Sequence, residues 1–407
     1  MRALFIGKVF PEPASTAAGR RSMDVMQSLQ AAGWELHFAC CAQPSSHAVD
    51  LGAHGISVHS IRVNDAAFDP WLKALQPELV LFDRFMIEEQ FGWRVAQQCP
   101  QALRVIDTSD LHCLRAARAQ ALKTGSAFCP QHPMALREIA AIYRSDLSLL
   151  ISDYEHAYLQ KQFSVPSDLL AYWPFFVDPP RKPFNGFEQR RHFVLLGSLQ
   201  HAPNLDAARW CLQSIWPRIR AQIPQAELHC YGSYGDRYAH ELHQPAIGFH
   251  FKGRAENAIN TLTQYRVQLA PLRFGAGLKG KLFDAMESGT PSVSTPIGLE
   301  GILDPDCPWG CAISEDPDQI AATAIQLYQR QQSWQDCQAA GQTILQNRFD
   351  RSHWWAQLPE IIQQAQADMA TRRSANFIGQ MLGHHQHRST EFMSRWIEAK
   401  NAATTTH

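Results

Sequence analysis

The residues best suited to chemistry lie in one segment, Arg266-Val-Gln-Leu-Ala-Pro-Leu-Arg-Phe-Gly-Ala-Gly-Leu-Lys-Gly-Lys-Leu-Phe-Asp-Ala-Met-Glu-Ser-Gly289. An apolar run ending near Leu272 leads into a turn with Gly275, Gly277 and Gly280, and a helical pattern starts near Lys279. Glycines let a backbone approach a ligand closely, and a helix N-terminus offers free N–H groups and the positive end of a dipole. Lys279 and Lys281 add positive charge, and Arg273 stands just before the turn. That set suits an anion such as a diphosphate. The plain alternative is a glycine-rich turn with solvated lysines. Asp284, one turn beyond Lys281, has a carboxylate able to accept hydrogen bonds from ribose hydroxyls.

Two short patterns fit the same turn. Gly275-Ala-Gly277-Leu-Lys-Gly280 satisfies G-x-G-x-x-G, with Glu300 twenty residues on, as in a dinucleotide fingerprint. That fingerprint belongs to the first strand–helix turn of its domain, whereas about three strands precede this one. Gly275 to Lys281 also satisfies G-x-x-x-x-G-K, but Leu282 stands where a P-loop needs a hydroxyl for magnesium. Each of these ligand readings places phosphate at this turn.

The turn needs a scaffold of strands and helices, and the chain supplies one twice. Ala3–Gly7, Glu35–Ala39, Ile56–Ile61, Leu79–Phe82, Arg104–Asp107 and Ser148–Ser152 read as strands. Arg20–Ala32, Glu88–Gln98, His112–Lys123, Pro133–Arg144 and Asp153–Phe163 between them read as helices. Such alternation predicts an α/β fold with a parallel sheet covered on both faces. Prolines at 166, 174, 179, 180 and 183 then mark a linker, and the pattern restarts. Phe193–Leu199, Glu227–Tyr231, Phe249–Lys252, Val267–Leu272, Ser292–Thr295 and Ala312–Ser314 read as strands. Asn204–Ala221, Glu256–Gln264, Lys279–Ser288, Pro317–Gln331 and Trp334–Asn347 read as helices. The expected layout is two doubly wound halves, 1–178 and 192–349, a linker 179–191, and a tail 350–407. Its stretch 372–400 reads as polar and helical, and Ala402 to His407 as frayed. Ligands of open α/β sheets bind outside the carboxyl ends of the strands, so the site is expected in the cleft between the halves.

Over 407 residues, 37 Lys and Arg against 38 Asp and Glu give a net charge of −1, which argues against nucleic-acid binding through bulk positive charge. Hydrophobic residues at 45% and charged residues at 18% exclude a mainly disordered chain. No apolar run reaches the ~18 residues of a membrane helix; Leu169 to Val177 is the longest candidate. The first apolar run reads as a strand rather than a signal peptide. The ten cysteines form no C-x-x-C pair, and Cys307 and Cys311 lack partners. Free thiols in a reducing compartment, hence the cytoplasm, are expected. The run His384-His385-Gln386-His387 reads as a surface patch rather than a metal site.

With these residues in view, the sequence resembles the family-4 retaining glycosyltransferases of the glycosyltransferase-B fold. The resemblance is carried by Gly275-Ala-Gly-Leu-Lys-Gly-Lys-Leu-Phe-Asp-Ala-Met-Glu-Ser-Gly-Thr-Pro-Ser-Val-Ser-Thr, by Gly298-Leu-Glu-Gly301, by Leu196-Gly-Ser-Leu-Gln-His-Ala-Pro-Asn204 and by Trp216-Pro-Arg-Ile-Arg. It is strong over roughly 192–330 and weaker over the first half. It implies two Rossmann-like domains facing across a cleft, the first for acceptor and the second for a nucleoside diphosphate sugar. A C-terminal helix crossing back to the first domain, transfer with retention, no metal and no cofactor are implied as well. Donor contacts then fall to Gly19, Ser198, Asn204, Gly275, Ala276, Gly277, Lys281 and Asp284. The family often carries two glutamates eight positions apart here; Asp284 takes the second position and Ala276 the first. Its usual basic pair in the loop after the second domain's first strand is absent. Ser198 and Asn204 occupy that loop, and Arg273, Lys279 and Lys281 are left to supply the charge.

In the first half, Gly19 and Arg20 follow the loop after the first strand. Asp83 and Asp110 stand at strand ends. His112 matches the family's cleft histidine, which contacts the transferred sugar. The expected catalytic set is His112, Lys279 and Arg273. Arg20, Asp83, Asp110 and Arg115 are acceptor-side candidates, and Arg118 belongs either to an anionic acceptor or to a solvated helix face. The acceptor is a glycan, a lipid-linked molecule or a protein, in polysaccharide, glycolipid or glycoprotein synthesis, and a lipid-linked acceptor is compatible with peripheral membrane contact. The rival readings are a nucleotide-sugar epimerase on the same fold, a non-catalytic sugar-nucleotide-binding or scaffold protein, and a dinucleotide-dependent oxidoreductase.

Overall fold

The computed structural model describes residues 1–178, 184–304, 306 and 308–405. Pro179, Pro180 and Pro183 of the expected linker lie outside the described residues, as does Cys307.

Seven strands form the first sheet: β1 (Arg2–Gly7), β2 (Glu35–Cys40), β3 (Ser57–Ser60), β4 (Leu79–Asp83), β5 (Leu103–Asp107), β6 (Leu147–Leu150) and β7 (Leu170–Tyr172). All its pairings are parallel, in the order β3-β2-β1-β4-β5-β6-β7. Burial on both faces explains the nearly unbroken apolar strands. In β1, Ala3 and Phe5 pack into one core cluster while Leu4 and Ile6 pack into another on the opposite face. The second sheet comprises β8 (Arg191–Leu196), β9 (Leu228–Tyr231), β10 (Phe249–Phe251), β11 (Tyr265–Ala270) and β12 (Ser292–Ser294). It is also parallel, in the order β10-β9-β8-β11-β12. The winding direction reverses between β1 and β4 and again between β8 and β11. In open α/β sheets such reversals open a crevice at the strands' carboxyl ends, so the loops after these four strands are the candidate site.

After the second sheet the chain returns to the first. Val177 bridges Asp350 in parallel, and Trp173 donates its indole N–H to the Trp354 carbonyl at 2.9 Å. Leu358 and Ile362 of the helix Gln357–Ala367 join the core cluster of Phe5 and Val25. A last long helix, Phe377–Thr405, packs against the helices Phe85–Gln98 and Pro133–Arg144.

The sequence reading departs from this architecture in a few places. Ala312–Ser314 is not a strand, and the sheet ends at β12. The stretch read as one helix, Asn204–Ala221, is Ala202–Trp210 and Trp216–Gln222 joined by a π-turn at Cys211–Ile215. Pro217 lacks an N–H, which interrupts the helical ladder there. The helix Phe68–Leu75 and β7 were not expected. The terminal helix runs on through Ala402, read as frayed, to Thr405. The nine described cysteines are free. No helix of the described residues is long and apolar enough to cross a membrane.

Candidate functional site

The Gly275 turn leaves the end of β11 and enters the helix Gly280–Glu287, with Lys279 at its N-cap. Lys279 is buried and its ammonium donates to the Gly277 carbonyl at 2.6 Å. Burial pulls its pKa down, with Glu300 and Glu155 opposing. Lys281 donates to Asn204 Oδ1 at 2.6 Å, and burial pushes its pKa down to about 8. Asn204 in turn donates to the Ser198 carbonyl at 2.9 Å. Gly197, at φ 150°, makes this possible, since a Cβ there would lie 2.7 Å from Asn204 Nδ2. The loops after β8 and β11 therefore meet through Lys281, bringing the donor candidates Ser198, Asn204 and Lys281 together.

Two of the three turn glycines serve a different need from the one expected. Gly277 has φ 62°, and a Cβ on it would lie 2.8 Å from Asp110 Cβ; one on Gly280 would lie 2.6 Å from Ala17 Cβ. Both let the first half approach the turn. Gly275 alone is open, with no atom nearer than 3.6 Å to such a Cβ. Ala276 is packed in a cluster with Leu111, Cys113 and Leu114 of the first half. The position of the missing carboxylate is thus an apolar contact across the cleft.

The first half answers with His112, which starts the helix His112–Thr124 just after β5. Its Nδ1 lies 3.1 Å from the Asp110 carbonyl, which can only accept, so Nδ1 carries a proton. Its ring stands edge-on to Phe85 at 5.5 Å, and Glu138 accepts from its backbone N–H at 3.0 Å. The loop before His112 meets the Gly277 turn, through Asp110 beside Gly277 and through Glu155, which holds the N–H groups of both Leu111 and Gly277.

Several expected roles change. Arg273 is spent on Asp206, at 2.9 and 2.5 Å, and stacks 5.3 Å from the Trp210 ring. It is not a free cation at the turn. Gly19 gives its N–H to the Thr16 hydroxyl at 3.0 Å, and a Cβ on it would strike the Glu12 backbone at 2.5 Å. It shapes its own loop. Arg20, an acceptor-side candidate, reaches the other half instead, bonding Asp284 at 2.8 Å and Glu287 at 3.1 Å. The expected ribose carboxylate therefore has Arg20 as its partner. Burial raises the pKa of Asp284 and brings Glu287 up to about 7, both against the pull of Arg20. Arg115 pairs with Asp110. Asp83 accepts from the Lys8 N–H at 3.0 Å and lies 3.3 Å from Arg84.

Three residues escaped the sequence reading or received another role. Glu155 is fully buried and accepts from Gly277 N–H at 2.7 Å and Leu111 N–H at 2.8 Å, joining the turn to the His112 loop. Burial raises its pKa. Its place just after β6, in the first turn of the helix Asp153–Phe163, was the available signal. Glu300, the ribose acid of the dinucleotide reading, is held by Arg118 at 2.6 and 2.7 Å, while Arg118 also donates to the Gly275 carbonyl at 2.8 Å. That removes the ribose role from Glu300 and the solvated-face reading from Arg118. His201 stands at the N-cap of the helix Ala202–Trp210 after β8, and desolvation, with Arg115 and Lys281 adding to it, lowers its pKa well below that of an ordinary imidazole.

As for metals, His384 and His385 are exposed, whereas His387 is buried against Glu88 at 3.1 Å. Among the described residues the one close group of ligand-type side chains is Glu227, His229 and His250, near the start of β9 and in β10, away from the cleft ends of the strands.

Two parallel sheets whose switch-point loops meet at one phosphate-type turn define the class, the glycosyltransferase-B fold. Residues 190–330 match the family model described as Glycosyl transferases group 1. Comparison with curated protein sequences gives no match. Among solved structures, a sucrose-phosphate synthase from Thermosynechococcus elongatus is similar at 16% identity and TM-score 0.69, covering 90% of this chain and 99% of that one. The Anabaena protein HepE, solved with UDP and glucose, is similar at 14% identity and TM-score 0.67, covering 89% and 100%. A glycosyltransferase from Rickettsia africae is similar at 9% identity and TM-score 0.64, covering 89% and 98%. The chain has the glycosyltransferase-B fold, and its residues 190–330 are related to the group-1 glycosyl transferases.

Proposed function

We propose that this chain transfers a glycosyl group from a nucleoside diphosphate sugar to an acceptor with retention of anomeric configuration. The carrying observation is the Gly275–Lys281 turn, where Lys279 and Lys281 sit at the β8/β11 switch point against the His112 loop. In this reading residues 192–349 hold the donor and residues 1–178 the acceptor, with 179–191 linking them and 350–407 packing back. Lys281, Asn204 and the free N–H groups of the Gly280 helix receive the diphosphate, and Lys279 adds charge behind them. His112 orients the sugar through Nε2. Charge developing on the departing diphosphate is stabilised by fixed dipoles and lysines in a dry cleft. No covalent nucleophile and no metal are used. The acceptor is a glycan, a lipid-linked molecule or a protein, met in the cytoplasm or at a membrane surface.

The HepE complex recommends UDP-sugars as the first donors to try. The test is release of nucleoside diphosphate by the purified chain from a panel of UDP-, GDP- and ADP-sugars, with and without acceptors, in the presence of a chelator. Turnover that is lost in Lys281→Ala supports the reading. Binding without turnover across all donors and acceptors overturns it in favour of a non-catalytic sugar-nucleotide binder, a reading to which the apolar setting of Ala276 lends weight.

A further inference from the structure

The helix Phe377–Thr405 is amphipathic the wrong way round for a helix facing water. Its inward face is held by polar groups. Glu391 accepts from Gln97 at 2.8 Å, His387 meets the buried Glu88 at 3.1 Å, and Ser394 and Glu398 meet Arg94, itself buried. Its outward face carries two groups of exposed apolar side chains. Phe377 is 67% exposed, Phe392 66%, Trp396 60% and Met393 59%, with Ile378 and Met381 also exposed. At about 100° per residue these six fall within about 160° of the helix, and at 1.5 Å rise the groups Phe377–Met381 and Phe392–Trp396 lie about 17 Å apart, with exposed Arg388 between them. Clustered exposed apolar side chains of this kind mark contact surfaces.

We propose that this face is a docking surface for an anionic lipid bilayer, with the helix lying in the interface plane. Charge chooses this occupant. The two acids of the helix, Glu391 and Glu398, turn toward Gln97 and Arg94, Arg395 is exposed and pairs with Glu391 at 2.5 Å, and the outward cations are completed by exposed Arg388 and by Lys400, 5.4 Å from the Trp396 ring. Phenylalanine and tryptophan flanked by cations is the composition that seats a helix among lipid headgroups. A second copy meeting face to face would set those cations against their own counterparts. The helix packs on the first half, on the helices Phe85–Gln98 and Pro133–Arg144, so the bilayer lies against that half. The inference rests on surface chemistry alone and stands apart from the transfer reaction.

The test is flotation of the full chain with vesicles of phosphatidylglycerol and phosphatidylcholine, against phosphatidylcholine alone. Binding is expected to the anionic vesicles and to fall about tenfold or more in Arg388→Gln with Arg395→Gln. It is expected to be abolished in Phe392→Ser with Trp396→Ser, while thermal midpoint and nucleotide-induced stabilisation stay at wild-type values. Absence of flotation, or flotation unchanged by the Phe392 and Trp396 pair, overturns the proposal. A concentration-dependent dimer that the same pair dissolves, without vesicle binding, assigns the face to a second copy and overturns it too.

Discussion

Lys281 is the residue on which the donor reading can be tested most sharply. Burial beside the Asn204 amide holds its pKa at about 8 in the free protein. A lysine so poised is about nine-tenths charged at pH 7 and about one-tenth charged at pH 9. A diphosphate favours the charged form, so binding above pH 8 must take up a proton, and affinity must fall as pH rises. One charge-assisted hydrogen bond contributes about 1.5–3 kcal/mol. Lys281→Met should therefore weaken nucleotide binding at pH 7 by about 10- to 150-fold. Wild-type affinity should decline toward that of the variant between pH 8 and 10, by up to about tenfold per pH unit. Titration calorimetry with UDP and GDP in buffers of different ionisation enthalpy reads both the affinity and the proton uptake. A wild-type affinity flat from pH 7 to 9.5, or a decline that persists unchanged in Lys281→Met, would refute the argument. The second outcome would move the titrating group to Lys279.

Three further perturbations separate the roles in the cleft. His112→Ala should cost about a hundredfold or more in turnover and leave nucleotide-induced stabilisation intact; equal loss of both would make His112 a structural residue. Arg20→Ala removes the cation facing Asp284 and Glu287. Glu287 holds its proton to about pH 7 when folded against an ordinary 4.5, so its contribution to stability falls as pH rises between those values. Without Arg20 that fall should extend above pH 7, visible in the thermal midpoint measured against pH. Glu155→Gln should keep the backbone contacts to Gly277 and Leu111 only in part and should lower kcat more than it raises KM; an unchanged kcat would reduce Glu155 to a packing residue.

Much of this arrangement was legible because its signals are local. Strands buried on both faces, such as Leu4 to Ile6 and Leu79 to Phe82, leave nearly continuous apolar runs, and the helices between them leave periodic ones. The turn at Gly275 announced itself by glycine, lysine and position. Elements with weaker patterns were lost: Phe68–Leu75 is short and contains Pro70, and β7 is a three-residue edge strand beside prolines. What the sequence could not show is pairing at long range. Nothing near Arg20 says that its partners are 264 and 267 residues away, and nothing near Arg273 reveals that Asp206 has already claimed its charge. Inward-facing acids on the terminal helix are equally invisible, because their partners Arg94 and Gln97 belong to another helix.

These long-range pairs also explain the departure at Ala276. A glutamate in its place would be buried among Leu111, Cys113 and Leu114, and a buried carboxylate without partners is costly. The turn nevertheless has a carboxylate, and it comes from the opposite half: Glu155 accepts the Gly277 N–H and, with the same oxygen, the N–H of Leu111, the residue before His112. Its second oxygen is buried and makes no hydrogen bond to protein. The contact exists only while the halves are together, because Gly277 can approach Asp110 only without a side chain of its own. A carboxylate fixed within one domain would touch the turn in every state of the cleft. Glu155 ties the turn's backbone to closure and to the position of His112 at the same time. In the proposed reading, donor-loop and sugar-side geometry are thereby set together by one buried residue of the first half, which holds a backbone N–H from each half.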